Sequence, residues 1–169
     1  SPQKVFGSEG GFYIAIMSPK ALGRAEELEK SSHYRPITMS WDHAISNSIK
    51  NQTYNTPSIT TIFYLNEQIK LMNKLGEEKV YQLSLEKMKL LETWVNEKDY
   101  LDFYIQDASM RSNTVATINV DDKYSVTDLG AKLRELKVAY DIEAYRKLGK
   151  NQLRISLFHN VSKEDLEKL

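Results

Sequence analysis

The 169 residues suffice for one moderate domain or two small ones. Lys+Arg equals Asp+Glu at 23 each, which leaves neither the basic field that draws nucleic acid nor the acidic excess of a solvating tail. Cysteine is absent, excluding disulfides and thiolate catalysis and suiting a cytoplasmic protein, and no apolar run approaches the ~20 residues of a membrane span.

Lys4 opens the chain's chemistry, followed by the glycine-rich Gly7-Ser8-Glu9-Gly10-Gly11 and the apolar run Phe12–Met17. The run predicts a buried strand over Gly11–Ser18. A lysine on a turn beside such a strand can be desolvated, which makes its amine nucleophilic. Taken alone, the stretch reads more readily as a lysine in solvent. Ser18-Pro19 predicts a helix running to Glu29. Ser31–Trp41 reads as irregular, and Asp42–Ile49 as a short helix. From Ser58 the helical period returns: Ile62, Leu65, Ile69 and Met72 share a face, and Gly76 ends the helix. A second long helix runs from Glu77 to about Glu97, with Tyr81, Leu85, Met88, Leu91 and Val95 on one side.

The pattern then changes. Thr114–Val120 alternates and is β-branched, predicting a half-buried strand. Ser125 to Asp128 resembles a capping box for a helix to about Leu136, with Leu129, Leu133 and Leu136 inward. Val138–Asp141 reads as a short strand, Gln152–Phe158 as a better one, and a last helix starts at Ser162. The order implies a small α+β unit from about Gly76 onward.

Two further stretches can bind anions. Asn51-Gln52-Thr53-Tyr54-Asn55-Thr56-Pro57 places amides and hydroxyls ahead of a long helix, whose free N–H groups favour phosphate; Asn55 or Thr56 also suits an ordinary cap. Tyr145-Arg146-Lys147-Leu148-Gly149-Lys150-Asn151-Gln152-Leu153-Arg154 holds four cations ahead of a strand. A planar guanidinium such as Arg154 suits a carboxylate with two parallel bonds, although a solvated basic loop has the same composition.

Pro2-Gln3-Lys4 before Gly10-Gly11, then Lys50 to Pro57, then Tyr145 to Gly149 with Asn151 to Arg154, come in an order and spacing that resembles the C-terminal part of bacterial phosphoserine aminotransferases. These are class V members of the pyridoxal-phosphate-dependent fold type I. The resemblance implies an α/β fold: residues 1–75 as the end of a three-layer αβα cofactor domain, and 76–169 as a small α+β domain. It implies that Lys4 carries pyridoxal 5'-phosphate and that Gln3 lies near its phosphate. It also implies that Asn55 and Thr56 reach the cofactor phosphate of the partner subunit in a homodimer, and that Arg154 binds the substrate α-carboxylate. Some relatives use a His-Arg pair for the substrate phosphate where Arg146 and Lys147 stand here; this sequence departs from that form.

The activity so implied moves the amino group of glutamate to 3-phosphohydroxypyruvate, giving O-phosphoserine and 2-oxoglutarate. Another class V enzyme, such as an alanine–glyoxylate or serine–pyruvate aminotransferase, fits the same motifs. So does a non-catalytic fragment, since the chain opens on Ser1 within a motif and closes soon after a fresh helix start, as if truncated at both ends.

Overall fold

Serine sets most of the helix starts. The computed structural model describes residues 1–143 and 149–169. Helix α1 (Pro19–Glu29) is capped by Ser18, whose Oγ accepts the Ala21 N–H at 3.2 Å. Ser58 does the same for α3 (Ile59–Leu75), Ser125 for α5 (Val126–Glu135) and Ser162 for α6 (Lys163–Glu167). Each cap satisfies one of the N–H groups that a first turn leaves without an intrahelical partner, and its loss costs about 1 kcal/mol. Between α1 and α3 lies α2 (Trp41–Ile49). Gly76 stops α3 at φ 85°, where a side chain would be strained, and α4 (Glu77–Asn96) begins at once.

The sheet lies wholly after α4. Strands β1 (Leu101–Phe103), β2 (Val115–Val120) and β3 (Gln152–Ser156) pair antiparallel in that order. Ile118 stands opposite Phe103 on one side and Leu153 on the other, while Thr117 faces Arg154. Residues paired across an antiparallel ladder share a face. One face therefore carries Leu101, Phe103, Ala116, Ile118, Leu153 and Ile155, and it packs with Met88, Leu91 and Val95 of α4. The other carries Asp102, Thr117, Asn119, Gln152, Arg154 and Ser156. Ile118 and Leu157 are wholly buried, which makes this the core of the molecule.

Several expected elements differ. Gly11–Ser18 forms no strand, and its apolar run lies open, with Ile16 99% exposed. A buried strand needs neighbours at its edges and faces, and the described strands all belong to the sheet after α4. Val138–Asp141 is irregular and bent, with Lys137 and Asp141 at positive φ (57° and 55°). Strand β1 carries too short a pattern to be legible. On α5, Val126 and Gly130 are buried, whereas Leu129 and Leu136 face outward. On α4 the buried stripe is rotated toward Val80, Ser84 and Lys87, so Tyr81 is half exposed. The remaining predicted helices and the strands at 115–120 and 152–156 are present. No helix is long and apolar enough to cross a membrane, and no cluster of metal-binding side chains occurs among the described residues.

Candidate active site

Lys4 sits at φ 63°, in the left-handed region that a side chain enters at a cost of roughly 1–2 kcal/mol. It opens a single 3-10 turn, Lys4–Phe6, closed by the Gly7 N–H donating to the Lys4 carbonyl at 2.8 Å. Strained backbone persists only where its surroundings fix it. Here Ser8 N–H donates to the Pro2 carbonyl at 3.1 Å, and Ser8 Oγ donates to the Thr61 carbonyl at 2.8 Å. Thr61, buried on α3, returns its hydroxyl to the Gly10 carbonyl at 3.0 Å. Gly7 has φ 64° and little room for a side chain: a Cβ there would lie 3.0 Å from Asn160 Nδ2 and 3.1 Å from Gln68 Oε1.

The Lys4 amine donates to Gln3 Oε1 at 3.3 Å and makes no ion pair among the described residues. Lys4, Gln3 and Arg154 line one cavity of about 410 Å³, together with Tyr140 and Asp141. Lys4 and Arg154 also line its neighbour of about 440 Å³, with Arg111 and Thr117. Arg154 is half-buried on β3, and its backbone N–H donates to the Ile142 carbonyl at 2.8 Å. The strand thus fixes the base of the guanidinium. An amine without an ion pair among the described residues and a guanidinium that line one cavity suit a ligand bearing a carbonyl and a carboxylate.

Asn55 and Thr56 do not line these cavities. Asn55 and Thr56 are exposed on the loop between α2 and α3, and neither side chain is hydrogen-bonded among the described residues. The cap of α3 is Ser58, so neither residue serves as the helix cap. Arg146 and Lys147 lie outside the described residues.

Some contributors went unread in the sequence. Arg111 stacks 4.0 Å over the Phe103 ring, donates to the Ile105 and Gln106 carbonyls and pairs with Glu92 at 3.2 Å, holding the loop after β1. Its signal was an arginine in the polar loop shortly before β2. Lys87, buried on α4, donates to the Phe158 and Val161 carbonyls, the latter at 2.8 Å; desolvation lowers its pKa, against the opposing charge of Glu86. His159 lies between these carbonyls in sequence. Burial holds its pKa below 6.5, with the Lys87 charge adding to the depression and the Val5 carbonyl opposing it.

The whole chain, residues 1–169, matches the family model described as Aminotransferase class-V. The chain belongs to the class V aminotransferases. It is 39% identical over 170 residues to a phosphoserine aminotransferase of Corynebacterium glutamicum (strain R), and 40% identical to one of Nocardioides sp. (strain ATCC BAA-499 / JS614). All of this chain is covered in each case, and 45% of the relative's own length. The chain therefore spans under half the length of these curated relatives. Among solved structures, a phosphoserine aminotransferase from Cytophaga hutchinsonii superposes with TM-score 0.67 at 22% identity, covering 88% of this chain and 40% of that one. An alanine–glyoxylate aminotransferase from Nostoc sp. superposes with TM-score 0.69 at 17% identity, covering 90% and 40%. These likenesses establish the α/β aminotransferase fold. The family is pyridoxal-phosphate-dependent, and one solved phosphoserine aminotransferase of this fold is described for radiation damage to its Schiff base.

Proposed function

We propose that this chain carries the lysine and the carboxylate-binding arginine of a phosphoserine aminotransferase, which passes the amino group of glutamate to 3-phosphohydroxypyruvate. The observation that carries this reading is the shared cavity of Lys4 and Arg154, from opposite ends of the chain. The names of relatives at 38–40% identity support the choice of reaction. An alanine–glyoxylate type of reaction is the second reading, favoured by the TM-score of 0.69.

The donor set fits pyridoxal phosphate: Lys4 offers an exposed amine that makes no ion pair among the described residues, next to the Gln3 amide. When bound, the cofactor supplies an aldehyde for that amine and a ring that takes up the electrons of the broken bond. Lys4 holds and returns the proton moved at the substrate α-carbon. Arg154 grips the α-carboxylate shared by every donor and acceptor, and so fixes which α-bond faces Lys4. Arg146 and Lys147 are assigned to the substrate phosphate. Asn55 and Thr56 are assigned to the cofactor phosphate of a second subunit, which suits their open position and makes the working unit a homodimer. Residues 1–75 belong to the cofactor domain and 76–169 to the small domain in this reading.

Incubation with pyridoxal phosphate and borohydride is expected to fix the cofactor on Lys4, read by peptide mass. In the full-length enzyme, Arg154→Lys is expected to weaken glutamate and phosphohydroxypyruvate alike, by about tenfold to a hundredfold for a lost charge-assisted bond. Fixation spread evenly over surface lysines, or normal handling of glutamate by Arg154→Lys, defeats the reading.

A further inference from the structure

The turn after β3 is unusually well held for a surface connection. Leu157 is wholly buried and its N–H donates to the Thr114 carbonyl at 2.9 Å. The Val161 N–H closes the turn on the Phe158 carbonyl at 2.9 Å, and the Lys87 amine holds both carbonyls from beneath. His159 projects from this clamped turn. Its Nδ1 lies 3.0 Å from the Val5 carbonyl and its Nε2 lies 2.9 Å from the Gln68 side chain on α3. A carbonyl only accepts, so Nδ1 carries the proton. The atom facing Nε2 is Gln68 Oε1; in the neutral ring Nε2 accepts, so the bond forms with the Gln68 amide rotated to present its NH2 group.

Among the described residues, this bond to Val5 is the hydrogen bond that joins residues 1–11 to anything beyond α4. The other ties of the lysine turn run to α3 or stay within the turn. Val5 follows Lys4 directly, and His159 stands five residues after Arg154 on a rigid stretch. The ring therefore closes a short path between the two groups that line the cavity. We propose that His159 is a positioning residue that fixes the separation of the Lys4 amine from the Arg154 guanidinium by gripping the Val5 carbonyl. The inference rests on the Lys4–Arg154 pairing of the reading above, and it is testable without cofactor.

The probe is glyoxylate, whose aldehyde condenses with an amine, releasing water, and whose carboxylate suits a guanidinium. Cyanoborohydride then delivers a hydride to the imine carbon and leaves a stable secondary amine. Propanal is the control, having the aldehyde but no carboxylate. The quantity read is the ratio of the two labelling rates at Lys4, by peptide mass, with other lysines as internal reference. In the wild type the ratio at Lys4 is expected to exceed that at surface lysines, and Arg154→Gln is expected to abolish the excess. His159→Asn places an amide N–H where Nδ1 was and is expected to keep the ratio. His159→Gln and His159→Phe lose the Val5 bond, and the ratio is expected to fall by about three- to tenfold. Gln68→Ala, which frees the far side of the ring, tests the same path without touching the turn. Amide exchange over residues 4–9 is expected to rise in the variants whose ratio falls. Loss of folding would also abolish the excess, so a variant is scored only where circular dichroism and its thermal midpoint match the wild type, and His159→Asn serves as the folded control.

An unchanged ratio in His159→Phe overturns the proposal. So does an equal fall in His159→Asn, or a wild-type ratio no higher at Lys4 than elsewhere. Failure of pyridoxal phosphate to fix on Lys4, with the glyoxylate ratios as expected, defeats the cofactor reading and leaves the positioning role standing.

Discussion

Gly130 offers a test in which sequence-level and structural reasoning give opposite signs. It lies in the interior of α5, where alanine should be better by about 1 kcal/mol. A methyl group there would stand 2.0 Å from Glu143 Cδ and 2.1 Å from Glu143 Oε1. The carboxylate would have to retreat by roughly 1 Å to reach even the closest contacts that folded proteins tolerate. It has little room to do so: its side chain is fully buried and paired with Arg134. Overpacking of this kind costs about 1–3 kcal/mol. The disturbed ion pair adds less than about 1, because Arg134 is 37% exposed and water screens it. The net expectation for Gly130→Ala is a loss of about 1–2 kcal/mol, read as a fall in thermal midpoint of about 3–8 °C. In a Glu143→Ala background the obstacle is gone and the same change is expected to stabilise by about 0.5–1 kcal/mol. Chemical denaturation of all four chains is expected to give a coupling of about 1.5–3 kcal/mol. If Gly130→Ala stabilises in both backgrounds, the close approach is not what keeps glycine there.

Leu157→Ala is expected to cost about 2–5 kcal/mol in denaturant titrations, since the side chain is wholly buried. Thr61→Val removes the hydroxyl that serves the Gly10 carbonyl and is expected to cost about 1 kcal/mol, with faster amide exchange over residues 7–11. His159 titrates below 6.5 in the fold, so between its folded value and about 6.5 the unfolded chain binds more protons. Its contribution is fully present above that window and is lost as pH falls through it. The stability difference between wild type and His159→Asn is therefore expected to shrink between about pH 7.5 and pH 5, and a constant difference refutes the depressed titration.

Helices were legible in the sequence because their signals are local. Ser18-Pro19, Ser58, Gly76, Ser125 and Ser162 each mark an end through a bond made within four residues. The β2 pattern was legible for a similar reason, since alternation registers a two-faced environment. Burial was less so. Phe12–Met17 has the composition of a core strand and lies open, because composition records what a segment can bury and not what stands beside it. On α5 the buried position is Gly130, which no apolar stripe announces, and the leucines at 129 and 136 face out.

The candidate site divides along the same line. Lysine and arginine could be picked out as residue types suited to carbonyls and carboxylates, but their meeting depends on contacts that no spacing encodes. Lys4 reaches the cavity from a left-handed backbone, a conformation that a lysine gives no hint of adopting. Arg154 reaches it because the ladder sets Thr117 opposite and turns Leu153 and Ile155 to the other face. A slip of one residue in that ladder would send the guanidinium into the core, and burying an unpaired charge costs several kcal/mol. The hydrophobic pattern of β3 therefore does more than fold the sheet. By holding Leu153, Ile155 and Leu157 inward it aims Arg154 outward, and through the turn that follows it delivers His159 to the carbonyl beside Lys4. Packing and site geometry are set by the same short stretch, so core substitutions in β3 are expected to disturb the Lys4–Arg154 separation before they unfold the chain.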